Sequence, residues 1–248
     1  VKHPPNHFFC VSTDKAANPV NIMGASKKLM EELIMSYSSK INITTARFAN
    51  VAFSNGSLPY GFVERLNKKQ PLVCPKGIKR FFVSPVESGQ LCLIASVLGE
   101  SGDIFFPKLK ESIDMIPFDL VLKKLLDYLG LELDVCKSEL EAKQKAKFLN
   151  ENSKKYPVYF SNSDTSGEKS FEEFFTKNED LDLKTFNGLG VIKNSVSRDN
   201  IDLENILNNL KNIFLKNNVR KLDVVDVLKK YLTNFKHIET GKHLDQKM

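Results

Sequence analysis

Only four cysteines stand in 248 residues, Cys10, Cys74, Cys92 and Cys136, and no two share CxxC spacing. That scarcity excludes a disulfide scaffold and a cysteine-based zinc module. Three of the four lie in apolar runs and read as small buried hydrophobes of a reducing compartment. The chain has no run of about 18 apolar residues, so no membrane-spanning helix is expected. No signal sequence is visible, which points to the cytoplasm. The histidines are His3, His7, His237 and His243. All four read as structural or exposed residues, and no metal site is expected. The net charge is +6 with a pI near 9.0. The lysines are spread along the chain, however, and no basic block is interleaved with aromatics, so nucleic acid is not an expected partner.

What is present describes a folded α/β protein. Hydrophobic residues make up 42% and charged residues 27%, enough apolar matter for a real core. The length suits one large domain or two small ones. Phe8 to Val11 is an all-apolar run with the character of a central parallel strand. Asn18-Pro19 marks a turn, and a helix follows from about Asn21 or Gly24 to Ser39, with Leu29, Met30, Leu33, Ile34 and Tyr37 on its apolar face. Ile43 to Phe48 is a β-branched strand, completing a right-handed βαβ unit.

Further on, the spacing predicts helices over 60–68, 85–98, 118–129, 138–149, 202–216 and 223–232. Short strands are predicted at 72–74, 80–83, 104–106 and 158–160. The charged residues Glu139, Glu141, Lys143, Lys145 and Lys147 read as a solvated helix face. The expected fold class is α/β: the carboxy-terminal part of a Rossmann-like parallel sheet over residues 1–107, a smaller α/β substrate domain over 108–176, and a helical tail over 177–248. Val1 stands just before a strand, and the chain reads as the later part of a longer one.

The densest group of chemically useful residues is Ser12-Thr13-Asp14-Lys15-Ala16, followed by Asn18-Pro19, Met23-Gly24-Ala25-Ser26-Lys27 and Arg47-Phe48-Ala49-Asn50-Val51. Small polar and charged groups at a strand end are where an open α/β sheet places its chemistry. Together with Arg80, Gly167-Glu168-Lys169 and Thr240 to Gln246, these motifs resemble the nucleotide-sugar 4,6-dehydratases of the extended short-chain dehydrogenase superfamily. The polysaccharide-biosynthesis type is the nearest branch, and within it the dehydratases of legionaminic-acid-type pathways.

The resemblance implies a reaction on a nucleotide-linked N-acetylglucosamine, with NAD or NADP as cofactor and a homo-oligomer as the working assembly. Oxidation at C4 acidifies the C5 proton; a base removes it while an acid protonates the departing C6 hydroxyl. By resemblance Lys15 is the base, Asp14 the acid, and Thr13 assists at C4. Lys27 would bind the nicotinamide ribose and lend positive charge near the C4 oxygen. Most members of the superfamily carry Tyr-x-x-x-Lys, whereas this chain has Met23 in the tyrosine's place, and a thioether cannot take a proton from a hydroxyl. Two readings stand for Met23: a branch of the dehydratases that carries methionine beside the cofactor, or a degenerate site with methionine as plain core.

Asn50, Val51, Ser54 and Asn55 are the implied substrate loop. Arg80 is either a diphosphate contact or a solvated edge-strand arginine. Glu168 falls where the family places an acid on the nucleotide ribose, but Thr165-Ser166 stands before Gly167 where Arg-Pro is usual, which leaves uridine and guanosine both open. No G-x-x-G-x-x-G turn exists to receive a dinucleotide pyrophosphate; Gly188-Leu189-Gly190 lies late, follows no predicted strand and is not that turn. A non-catalytic remnant and a nucleotide-sugar epimerase are therefore the alternatives to the dehydratase.

Overall fold

The computed structural model describes residues 3–162, 169, 171–193, 195, 199–239 and 241. The chain opens with β1 (Phe8–Thr13), a single 3-10 turn (Asp14–Ala16), α1 (Ile22–Met35) and β2 (Ile43–Phe48). Asn21 begins α1, its side-chain oxygen accepting from the Gly24 amide at 2.8 Å. β3 (Asn50–Val51), α2 (Leu58–Asn67), β4 (Leu72–Pro75), β5 (Lys79–Val83) and α3 (Pro85–Leu98) follow. Ser84 and Glu87 close a capping box at the start of α3, with Pro85 at its first position. Then come β6 (Ile104–Pro107), α4 (Glu111–Asp114), β7 (Met115–Pro117), α5 (Phe118–Tyr128), β8 (Glu132–Cys136), α6 (Glu139–Ala146) and β9 (Lys155–Ser161). β10 (Asp180–Asp182), β11 (Leu189–Lys193), α7 (Asn200–Phe214) and α8 (Lys221–Tyr231) complete the order.

The main sheet runs β1-β2-β6-β11-β10. The first three strands are parallel, with Ser12 opposite Arg47 and Thr13 opposite Phe48. β11 returns antiparallel to β6, and β10 antiparallel to β11. β2 is buried at every position, and period two divides its side chains between two faces. Ile43 joins Met35 of α1, Ile104, Phe106 and Ile192. Ala46 and Phe48 join Leu91 and Ala95 of α3, with Phe105 and Val191. Helices thus cover both faces, the architecture expected for a Rossmann-like sheet. The threonines of β2 are satisfied locally: Thr44 Oγ1 donates to the Ala95 carbonyl at 2.8 Å and Thr45 Oγ1 to the Cys10 carbonyl at 2.6 Å.

Two smaller sheets carry the rest. β3-β5-β7 lies beside the carboxyl ends of the main strands, and β4-β9-β8 is wholly parallel. The latter packs on α2 and α5 through Phe62, Leu72, Leu122, Leu126 and Val158. Fully burying each of these leucines stabilises by about 2 kcal/mol. α7 and α8 pack on α1 around Ala25 and Leu29.

Three features depart from the sequence reading. β1 is an edge strand: its only partner among the described residues is β2, and Phe8 and Val11 are exposed. An all-apolar run does not say whether both neighbours are in place. Residues 180–193, placed in a helical tail, add two strands to the main sheet. Gly188-Leu189-Gly190 runs into one of them, and a side chain at Gly190 would overlap the Phe106 ring across the ladder. β7 and β8 are also unanticipated; β8 has exposed Glu132 and Val135, so no clean alternation of burial marks it. Cys74 and Cys136 are buried, while Cys10 and Cys92 are half-buried.

Candidate active site

β1 ends at Thr13, and the chain turns at once into the 3-10 turn that holds Asp14 and Lys15. Asp14 is 1% exposed. Its Oδ1 accepts three hydrogen bonds: from Thr13 Oγ1 at 2.7 Å, the Lys15 amide at 2.9 Å and Lys15 Nζ at 3.0 Å. Its Oδ2 is buried and has no partner among the described residues. A carboxylate oxygen held this way is costly unless something else meets it. Gly24, in the first turn of α1, lets the helix come down on this turn, since a Cβ there would stand 2.8 Å from the Lys15 carbonyl.

The other predicted residues fall around this point to different degrees. Lys27 is half-buried on α1, and its charge reaches Cys10 on β1, where burial raises the thiol and Lys27 works against that rise. Met23 is 47% exposed, so the reading of it as plain core is overturned. Asn50 and Val51 form β3, and Asn50 Nδ2 donates to the Phe81 carbonyl at 3.1 Å. Ser54 is half-buried and Asn55 exposed in the loop that follows. Just before Ser54, Phe53 sits exposed at φ 55, a conformation rare for a bulky residue. Arg80 is buried in the middle strand of its sheet, not solvated at an edge. Its Nη1 donates to the Lys79 carbonyl at 2.8 Å and the Lys169 carbonyl at 3.1 Å. Glu168 lies outside the described residues.

Two groups were not foreseen. The first is Lys169 with Glu172, brought to the site from far along the chain. Glu172 is 7% exposed, and Lys169 Nζ stands 3.7 Å from its Oε2. Lys169 Nζ is buried without a hydrogen-bond partner among the described residues. Burial raises the Glu172 carboxyl, and the nearby charge of Asp14 raises it further; Lys15, Lys169 and Arg80 oppose both. Lys169 stood in the quoted Gly167-Glu168-Lys169 motif without a role of its own, and for Glu172 only the i,i+3 spacing from it was available as a signal, which is common on any surface.

The second is an ion network behind the site. Arg47, 0% exposed, donates from Nε and Nη2 to Glu31 at 3.0 and 2.6 Å, from Nη1 and Nη2 to Glu179 at 3.0 and 2.7 Å, and from Nη1 to the Phe174 carbonyl at 2.8 Å. Ser12 Oγ and Lys28 Nζ complete Glu31 at 2.9 and 3.1 Å. Burial pushes Glu31 up, but Arg47, Lys28 and their hydrogen bonds prevail and lower it to about 2. This network ties the strand end at Ser12 to the helix that carries Lys27. A cavity of about 1150 Å³ opens over it and not over Asp14, lined by Lys28, Glu31, Glu179 and Asn234 among others. Of the charged groups in that lining, Lys28, Glu31 and Glu179 are already engaged in the ion network.

The chain was compared with known proteins. The probable polysaccharide biosynthesis protein EpsC of Bacillus subtilis (strain 168) is 29% identical over 175 residues, 69% of this chain and 25% of that protein. The capsular polysaccharide biosynthesis protein CapD of Staphylococcus aureus is 36% identical over 40% of this chain and 17% of its own length. A UDP-glucose 4-epimerase of Rickettsia bellii (strain OSU 85-389) is 38% identical over 40% of this chain and 30% of that enzyme. The chain therefore spans less than a third of each of these relatives. Among solved structures, Pen from Bacillus thuringiensis superposes with a TM-score of 0.58 at 21% identity, covering 84% of this chain and 62% of that one, which supports the shared fold. Residues 2–193 match the family described as polysaccharide biosynthesis protein, and the chain belongs to that family.

Proposed function

We propose that this chain carries the acid–base edge and the substrate-facing part of an enzyme that removes water across C5 and C6 of a nucleotide-linked N-acetylglucosamine, UDP or GDP, giving a 4-keto-6-deoxy sugar for surface-glycan synthesis. The observation that carries the reading is the Asp14–Lys15 pair at the end of β1, with one buried carboxylate oxygen left over. Lys15, 26% exposed along its side chain, has the access to take the C5 proton. Asp14 Oδ2 faces no protein donor and is the atom from which a proton reaches the departing C6 hydroxyl. Thr13 Oγ1, bonded to Asp14 Oδ1, holds the acid in register and assists at C4.

NAD or NADP, when bound, supplies the hydride acceptor. Lys27 and the exposed Met23, one turn apart on α1, suit its nicotinamide end, Lys27 meeting the ribose hydroxyls. The sugar would lie along Asn50, Val51, Ser54 and Asn55, with Arg80 as the diphosphate contact and Glu168 as the ribose contact. The legionaminic-acid-type branch is the finer assignment.

A 4-epimerase is the second reading, favoured by the similarity to the Rickettsia bellii protein. It has no need of an acid at C6, which the buried Asp14 Oδ2 supports. Turnover of UDP- and GDP-N-acetylglucosamine in deuterated water with NAD or NADP separates the two. A 4-keto-6-deoxy product with deuterium at C5 is expected. An unlabelled product, or a C4 epimer that keeps its C6 hydroxyl, overturns dehydration.

A further inference from the structure

We propose that Asn234 is a positioning residue, and that residues 234–238 strap down the connection between the acid–base turn and α1. The purpose assigned to this contact rests on the dehydratase reading; its geometry does not.

Asp14 and Lys15 stand at one end of a short connection, and Met23 and Lys27 lie on the helix at its other end. Residues 17–20 therefore set how far the acid–base pair stands from the groups proposed for the nicotinamide end. This stretch is neither helix nor strand, and its carbonyls are met from the far end of the chain. Asn234 Nδ2 donates to the Ala17 carbonyl at 2.9 Å. The amides of Lys236 and Ile238 donate to the Pro19 and Val20 carbonyls at 3.2 and 3.1 Å. Pro19 has no amide to offer, so the pairing there runs through its carbonyl. From another side, Asn18 Nδ2 donates to Glu173 Oε2 at 2.8 Å. A connection held in this way is set for a task that needs position.

The strap has its own anchors. Leu232 and Phe235 are 2% and 4% exposed, in the core that also holds Ala25 and Leu29 of α1. At the far end, Glu239 pairs with His237 Nε2 and with Lys221 at the start of α8. Asn234 makes its contact through a side chain, so it can be altered while these anchors and the two backbone bonds stay. The strap also lies outside residues 2–193, the part that matches the family. Its role follows from what proton transfer demands. A reacting group displaced by about 1 Å can cost about 10²-fold in rate. A residue that only sets this distance lowers kcat and leaves substrate binding nearly as it was.

The test is amide hydrogen exchange, read by NMR on the 248-residue chain, in N234D and N234A. Aspartate keeps the shape of the side chain but turns an acceptor toward the Ala17 carbonyl; alanine removes the contact without repulsion. The reporters are the Lys15 and Ala17 amides, which bond to Asp14 Oδ1 and to the Asp14 carbonyl. Both should exchange about 10-fold faster in either variant, while Ala46 in β2 keeps its wild-type rate. The same acceleration at Ala46 would make Asn234 a general stabiliser and overturn the proposal, as would unchanged rates at Lys15 and Ala17. T233A, altering the exposed neighbour, should leave all three amides unchanged. In turnover of the nucleotide sugar, N234A should lower kcat about 10-fold or more and hold KM within about twofold. A raised KM with kcat intact would overturn positioning. If the wild-type protein makes no 4-keto-6-deoxy sugar while Lys15 and Ala17 still answer to Asn234, dehydration falls and the strap stands.

Discussion

Two buried charged clusters lie on either side of Ser12-Thr13, and they differ in completeness. Around Arg47 the carboxylates are met: Glu31 by Arg47, Lys28 and Ser12, and Glu179 by Arg47 and the Thr176 amide. Around Asp14, one carboxylate oxygen and the Lys169 ammonium have no hydrogen bond among the described residues. Burying charge is tolerable when every partner is in place and costly when not. The first cluster holds the strand end and α1 together. The second leaves valences open, as a site for a polar ligand must. A saturated network is where stability resides, and an unsaturated one is where chemistry is poised.

The sharpest way to break that contrast is to remove one partner from each side. R47M leaves Glu31 and Glu179 buried without their counter-ion and should destabilise by about 3–5 kcal/mol in urea unfolding. D14N removes a charge that the site meets at Oδ1 but not at Oδ2, so its stability should stay within about 1 kcal/mol of wild type, or rise. Its turnover should nevertheless fall by about 10²-fold or more. If D14N costs as much stability as R47M, the two clusters are not different in kind.

The clusters should also respond to pH with opposite sign. Glu31 has its carboxyl lowered from 4.5 to about 2 in the fold. Its contribution is present above 4.5 and is lost as pH falls toward 2, a change on the order of 3 kcal/mol. Glu172 is raised, so the fold binds its proton more readily than the unfolded chain does. Its contribution is full below 4.5 and is lost as pH rises through the folded midpoint. Chemical denaturation across pH 3–8 should therefore show E31Q flattening the acid limb, and E172Q relieving a smaller decline on the neutral side. The same limb changing in both variants would remove the distinction.

Much of the fold was legible because strand and helix patterns in the first 107 residues are locally consistent: Asn21 caps α1, Ser84 caps α3, and the two parallel strands are dense in apolar and β-branched residues. The turn of Thr13, Asp14 and Lys15 was legible from its motif. Glu172 was not, because its meaning comes from a distant segment folding back over the turn. Arg47 stood inside a quoted motif, yet nothing local says that a buried strand would carry a guanidinium, since its partners Glu31 and Glu179 come from a helix and a loop. β10 and β11 were missed for a related reason: they are short, and the strand that anchors β11 to the sheet is β6, far earlier in the chain, with β10 added outside β11.

The smallest effect tests whether strain, like unsatisfied charge, belongs to the ligand side of the molecule. Phe53 is exposed at φ 55 in the loop between Asn50 and Asn55, where its side chain gains little from burial. An L-residue in that conformation costs about 1–2 kcal/mol relative to glycine, while glycine gives back about 0.5–1 kcal/mol through the freedom of the unfolded chain. F53G should therefore be stabilised by up to about 1 kcal/mol, seen as a small rise in Tm. If the ring is kept for a ligand, the same substitution should weaken binding of UDP-N-acetylglucosamine measured by calorimetry. A variant that is less stable and binds equally well would place Phe53 with the structural cluster around Arg47, and the strain would then have no connection with the site.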